Sequence, residues 1–349
     1  MGLPVSTDLT FLIHLTCLEP VPVALEMFLN STSGAAGFSV SRNGVLALRK
    51  GSGAERVLLR TDASGKPLGT VGPAGLYENP RISPDGTRLA FSRLAEGTDI
   101  WLADLERGTT TRFTFNAAAD IVPIWSPDGK WIAFSSDRDG GIFNVYRRNA
   151  GGTGDDELLV KNGNRKIVND WSADGRTLFY QEESPDTKAD IWMVPTAGGA
   201  APVKVLGTPF NESAAALSPD GHWLAYTSDE SGVRQVYVQT FPPSERKWQV
   251  SAGRAASARW RADGKVLFFD VGGMLSAVDV SVGPDGDFKA GRPRQLFFGL
   301  LNLPPHNFDV EPGGSTFLSV RGQEAALQGG ANSPIVLTVN WQTGLPLSR

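Results

Sequence analysis

Trp125-Ser126-Pro127-Asp128-Gly129-Lys130-Trp131-Ile132-Ala133-Phe134 is a short apolar run, a tight turn and a second apolar run. Proline presets φ at the first turn position, aspartate suits the next, and glycine accepts the left-handed conformation that closes a hairpin. Beyond the turn the side chains alternate as a half-buried strand requires. The same signature returns as Ile82-Ser83-Pro84-Asp85-Gly86, Trp171-Ser172-Ala173-Asp174-Gly175, Leu217-Ser218-Pro219-Asp220-Gly221 and Trp260-Arg261-Ala262-Asp263-Gly264, each followed by its own apolar run. Weaker copies stand at Val40–Gly44 and Val310–Gly314.

The turn glycines are 44, 86, 129, 175, 221, 264 and 314, so successive copies lie 42 to 50 residues apart. That period fits a four-stranded unit, and seven in-register copies predict an all-β, seven-bladed β-propeller. Third strands share a polar–aliphatic–aromatic pattern: Asp99-Ile100-Trp101, Asn144-Val145-Tyr146, Asp190-Ile191-Trp192 and Gln235-Val236-Tyr237. Alternation of this kind sends every second side chain between neighbouring sheets, and the nine tryptophans fall mostly at such core positions.

The two ends of the chain bear on closure. Ile335–Trp341 reads as a third strand with too little sequence after it for a fourth. Val21–Leu25 precedes the first repeat without a partner. The expectation is therefore that Val21–Leu25 supplies the outer strand of a last blade built from residues 308–341, leaving no exposed sheet edge. Residues 1–20 read as a leader or disordered segment, and 21–349 as one propeller domain. The apolar stretch Leu9–Leu18 lacks the basic flank and small-residue cleavage site of a signal peptide.

Composition narrows the function classes. Acids outnumber bases 37 to 33, for a net charge of −4, which argues against a nucleic-acid-binding face. The single cysteine, Cys17, excludes an internal disulfide framework and a cysteine-based metal cluster. No run of 18 apolar residues suggests a spanning helix.

The stretch 125–140 resembles the repeat of TolB-like β-propellers. Arg107–Thr114, Thr208–Glu212, Asp229–Gly232, Val236–Pro242 and Leu337–Trp341 are more narrowly similar to the propeller region that follows the kinase domain in bacterial Ser/Thr protein kinases of the acidobacterial type. The resemblance covers roughly residues 21–349. It implies a propeller outside the membrane, periplasmic or extracytoplasmic, acting as a sensor or scaffold that binds protein. This chain differs from those kinases in having no kinase domain and no membrane span ahead of the propeller.

Motifs for chemistry are missing from the sequence. It has neither the glycine-rich loop, His-Arg-Asp and Asp-Phe-Gly set of a kinase nor the Gly-x-Ser-x-Gly of a serine hydrolase. His14, His222 and His306 fit no metal-ligand spacing. Asp137-Arg138-Asp139-Gly140 lacks the later ligands of a calcium loop and reads as a turn. The expectation is a non-enzymatic chain with no catalytic residue, metal or cofactor.

A binding surface remains. Propellers bind where loops from every blade converge on the mouth of the central channel. The loops entering each first strand carry Tyr77, Glu78, Asp120, Arg165, Asn211, Glu212, Arg254 and His306, which are the candidate ligand-binding residues. Their mixture of charges suits a protein, peptide or small polar ligand. The alternative is a propeller enzyme of glycosidase or peptidase type. It would need carboxylates about 5–9.5 Å apart at the mouth, with Glu78, Asp120 and Glu212 as candidates.

Overall fold

The computed structural model describes residues 55–323, apart from 96, 186, 284–285 and 302–304. It also gives the backbone of the strands Leu12–Ile13, Val21–Pro22, Phe38–Val40, Val45–Arg49 and Ile335–Val339. The chain divides into two compact units, Arg56–Gly330 and a second formed by Met1–Glu55 with Ala331–Arg349.

The repeated turn shows why the larger unit folds as it does. Ser126 Oγ donates to Asp128 (2.6 Å) while accepting the Trp131 N–H (2.9 Å), and the Gly129 N–H closes onto the Ser126 carbonyl. Ser83, Ser172 and Ser218 repeat the arrangement with Asp85, Asp174 and Asp220. The serine hydroxyl holds Asp85 down at about 2, so the carboxylate stays ionised and the turn stays clasped. In the fifth copy Arg261 replaces the serine and reaches Asp263 through two guanidinium bonds. Every one of these turn glycines has positive φ, Gly129 at 68°.

Each turn opens a four-stranded antiparallel sheet. Blade 1 uses the end of the long strand Pro67–Ile82, then Arg88–Leu94, Thr98–Asp104 and Thr110–Arg112. Blade 2 is Asp120–Trp125, Trp131–Ser136, Asn144–Asn149 and Glu157–Val160. Blade 3 is Lys166–Trp171, Thr177–Ser184, Lys188–Pro195 and Val203–Leu206. Blade 4 is Glu212–Leu217, Trp223–Ser228, Gln235–Thr240 and Lys247–Gln249. Blade 5 is Ala255–Trp260, Val266–Val271 and Met274–Val282, whose two halves pair with Phe288–Ala290 and Arg294–Phe298. Apolar side chains fill the spaces between blades. Val122, Ile124, Val168, Trp171 and Tyr180, for example, form one buried cluster shared by blades 2 and 3. Trp125 and Trp260 donate their indole N–H to the Arg81 and Ala216 carbonyls of the preceding blade.

Closure differs from the sequence expectation. Phe308–Val310 and Thr316–Gly322 are the inner strands of blade 6, and Thr316–Gly322 pairs with Arg56–Asp62, not with Ile335–Val339. The outer strand is the first part of Pro67–Ile82, paired with Arg56–Asp62 across the Asp62–Lys66 turn. One strand thus serves blade 6 with its beginning and blade 1 with its end. First strands then touch in a closed circuit from blade 1 to blade 6 and back. Among the described residues six blades make up this ring, where the sequence reading expects seven.

The copy at Val40–Leu48 lies in the other unit, where Val45–Arg49 pairs with Phe38–Val40 and Ile335–Val339. Val21–Pro22 pairs with Leu12–Ile13, and residues 23–25 of the expected closing strand lie outside the described residues. The physical reason for the switch is local. Arg56–Asp62 and its hairpin partner arrive already paired next to blade 1. Val57, Leu58 and Leu59 are buried there, and Arg60 locks onto Glu311 at 2.7 Å.

Candidate functional site

The first strands of blades 1 to 5 each carry a β-bulge, at Glu78/Arg81, Ile121/Ile124, Val168/Asp170, Ser213/Ala216 and Ala256/Arg259. Asn79, Val122, Ala214 and Ser257 there have φ between 52° and 58°. Such a conformation is strained for a β-branched residue such as Val122. A bulge breaks the ladder, bends the strand and re-aims the adjacent side chains. The freed backbone groups are taken up by the preceding blade: Val122 N–H binds Ser92 Oγ, Val168 N–H binds Ser135 Oγ, and Ala214 N–H binds Gln181 Oε1.

Above the bulges lies a cavity of about 560 Å³. Its wall takes Glu78 and Asn79 from blade 1, Ile121 and Val122 from blade 2, and Arg165, Ile167, Gln181, Glu183, Ser184, Lys188 and Ala189 from blade 3. Blade 4 adds Asn211, Ser213, Ala214, Thr227 and Arg234, blade 5 adds Ala256, and Pro305 precedes blade 6. The space is bounded by blades 1 to 5 and the loop entering blade 6, with most of its wall from blades 3 and 4, and its volume suits a small ligand or a few residues of peptide.

Of the candidates from sequence, Glu78, Arg165 and Asn211 line this cavity. Glu78 is ion-paired to Arg56 at 2.8 Å and Arg165 to Glu183 at 2.6 Å. Asn211 donates its backbone N–H and its amide to Asp229. The others are placed elsewhere. Tyr77 is packed edge-on against Phe91 in the core and donates its hydroxyl to the Pro73 carbonyl. Asp120 is fully buried, held by Arg138 and Asn116. Glu212 is buried and accepts from Thr208; burial raises its pKa above the usual carboxylate range, against those hydrogen bonds. Asp120 and Glu212 thus pin their own entry loops. Arg254 is exposed and outside the cavity wall, and His306 is wholly buried.

His306 touches a second group, whose polar members Arg81, Asp170, Arg259 and Asp309 stand at the penultimate positions of the first strands. Ile124 and Ala216 hold the same position in blades 2 and 4. Arg81 reaches Asp309 at 3.4 Å and, across the ring, the Asn169 carbonyl at 3.1 Å. Arg259 approaches Asp309 and donates to His306 Nδ1, which fixes the imidazole as a neutral acceptor. Burial first, and the Arg81 charge second, push the His306 pKa well below its ordinary value. Asp309 and Asp170 cap free backbone N–H groups of the next blade, at Ile82 and Leu217, both at 2.8 Å. Burial raises both acids, Asp170 to about 6, although Arg81 pulls the other way. The two acids keep a little accessible surface while protein surrounds them on every side, as residues facing a narrow axial channel do.

Sequence reasoning missed Lys188, Arg234, Gln181 and Glu183. They come from second and third strands or the hairpins between them, not from the loops entering first strands. Those hairpins rise on the same face of the ring. A signal was present in the polar tips Glu183–Lys188 and Ser231–Arg234.

Residues 52–199 match the family described as the TolB beta propeller domain. This stretch is similar to TolB-like β-propellers. The chain is similar to the structure of a TolB candidate from Agrobacterium tumefaciens, with a TM-score of 0.61 and 21% identity, covering 77% of this chain and 98% of that one. It is similar to the Tol-Pal system protein TolB of Desulfosudis oleivorans, 31% identical over 72 residues, or 20% of this chain and 15% of the relative. It is also similar to an uncharacterized peptidase, YuxL, of Bacillus subtilis, 26% identical over 208 residues, or 46% of this chain and 31% of the relative. The match therefore spans a third or less of these curated relatives. In this chain the starts of the bulged first strands line the cavity, and the buried charge group lies near the ends of the same strands.

Proposed function

We propose that this TolB-like propeller is a non-catalytic binding module that takes an extended segment of a protein or peptide into its cavity. The observation that carries the reading is the cavity wall itself, which draws on five blades and the loop entering the sixth and mixes apolar residues with hydrogen-bonding and charged groups. Such a site recognises shape and polarity together. Its two carboxylates, Glu78 and Glu183, each sit in an ion pair with an arginine, an arrangement suited to holding charge rather than to moving protons. Asp120 and Glu212, the other acids of a glycosidase reading, are enclosed within the blades. A sensor or scaffold role outside the membrane, which the resemblance read from the sequence would imply, is part of the same proposal.

The test is selection of peptides from a random library on the immobilised protein, followed by a variant in which Ala256→Trp fills the cavity. Binding of the selected peptides is expected to be lost in the variant while its melting temperature stays close to the parent's. Peptides held equally by both proteins would place the site elsewhere.

A further inference from the structure

We propose that the wall of this cavity between blades 3 and 4 is an anion subsite that takes a carboxylate of the bound peptide, an acidic side chain or a chain terminus. The inference rests on the binding reading above and adds the chemistry of the ligand. Charges around the cavity are unevenly satisfied. Glu78 and Arg165 have partners at ion-pair distance. Lys188 and Arg234 line the same wall, are exposed, and form no ion pair among the described residues. Against its burial, the two hydrogen bonds from Asn211, at 2.9 Å from the N–H and 2.6 Å from the amide, hold the Asp229 carboxyl below the usual range, and Lys188 and Arg234 add to this only through space, with no ion pair to it. Two cations are thus left facing the cavity with their hydrogen-bonding capacity unused.

A second observation, independent of charge, points to the same place. Thr227 is 1% exposed, lines the cavity, and its hydroxyl has no hydrogen-bond partner. A buried hydroxyl without a partner costs about 1–3 kcal/mol, so natural folds retain few of them. Ser213, its cross-strand partner, lines the cavity beside it. The wall therefore has two hydroxyls in its depth and two cations at its rim. A carboxylate has two oxygens and acceptor sites only, so one group satisfies both sets of donors at once.

The assay measures fluorescence anisotropy of three end-blocked, labelled probes, hexaglutamate, hexaglutamine and hexalysine, on the intact protein. Hexaglutamate is expected to bind at least tenfold more tightly than hexaglutamine. The Lys188→Glu/Arg234→Glu variant should lose that preference and favour hexalysine. Thr227→Val, which keeps the shape and removes the hydroxyl, should weaken hexaglutamate several-fold without changing the salt dependence. Equal binding of hexaglutamate by parent and charge-reversed protein overturns the subsite, as does no binding to the parent. Failure of the underlying reading is distinguishable: hexaglutamate would then bind the Ala256→Trp variant as it binds the parent. Library peptides lost on Ala256→Trp yet indifferent to the charge reversal would instead keep the cavity and overturn the anion subsite.

Discussion

The ring holds two sets of charged residues, and they do opposite work. In the channel, Arg81, Asp170, Arg259 and Asp309 are surrounded by protein and spend their hydrogen bonds on one another, on backbone carbonyls and on the N–H groups of the next blade. In the cavity above, Glu78, Arg165, Lys188 and Arg234 are open to solvent on at least one side. The residue types are the same, and burial decides the role. A buried charge must be matched by the fold and becomes part of the fold, whereas an exposed one contributes little to stability and stays available to a ligand.

The sharpest way to break this contrast is Arg81→Ala. It strips Asp309 and the Asn169 carbonyl of a buried partner and is expected to cost about 3–5 kcal/mol in urea unfolding. A loss comparable with that of an exposed residue would mean that the channel charges are not integral to folding.

Asp170→Asn tests the same region through pH. The folded pKa of Asp170 is raised to about 6 from 3.8, so the folded state takes up a proton before the unfolded state does. The penalty of the buried charge is fully present above about pH 6 and is relieved as pH falls towards 4. The parent should therefore gain stability relative to Asp170→Asn between pH 7 and pH 4.5, by on the order of 1–3 kcal/mol. Parallel stability curves for the two proteins would remove Asp170 from the titrating set.

Gly129→Val supplies a benchmark outside both regions. Added Cβ atoms meet only Pro84 at 3.9 Å, so the effect is backbone strain at φ 68°, about 1–3 kcal/mol, while Lys130→Ala next to it should change stability by less than about 0.5 kcal/mol. Equal midpoints for the pair in chemical denaturation would contradict the turn geometry.

The smallest effects belong to the cavity. Arg165→Ala, Lys188→Ala and Arg234→Ala are each expected to shift stability by no more than about 0.5 kcal/mol by thermal denaturation. A shift of several kcal/mol in any of them would erase the distinction between channel and cavity.

The blades were legible because the turn chemistry is local: Ser-x-Asp-Gly carries its own hydrogen bonds in four copies, and Arg261-Ala262-Asp263-Gly264 supplies a fifth. Closure was not, for a physical reason. Arg56–Asp62 lacks the polar–aliphatic–aromatic mark of the third strands of blades 1 to 4, and Pro67–Ile82 runs through two blades without a break, so nothing in its sequence marks where one sheet ends. The site was half legible. Entry-loop residues are easily found, but whether a charged one faces the cavity or the core depends on the bulge beneath it. Asp120 turns inward to Arg138, whereas Arg165, just before the next first strand, stays outside. Lys188 and Arg234 come from hairpins of neighbouring blades and line one wall because blades 3 and 4 pack side by side.

The double service of Pro67–Ile82 also sets an order of events in folding. Blades 2 to 5 pair strands that follow one another closely in sequence, so each assembles from local contacts. Blade 6 joins Arg60 to Glu311 across 251 residues, and a contact of that sequence separation forms slowly. During synthesis the edge of Arg56–Asp62 waits unpaired until the last blade leaves the ribosome. At high concentration the strand pair 316–322 of a second molecule can reach it first, and the product is an exchanged dimer rather than a closed ring.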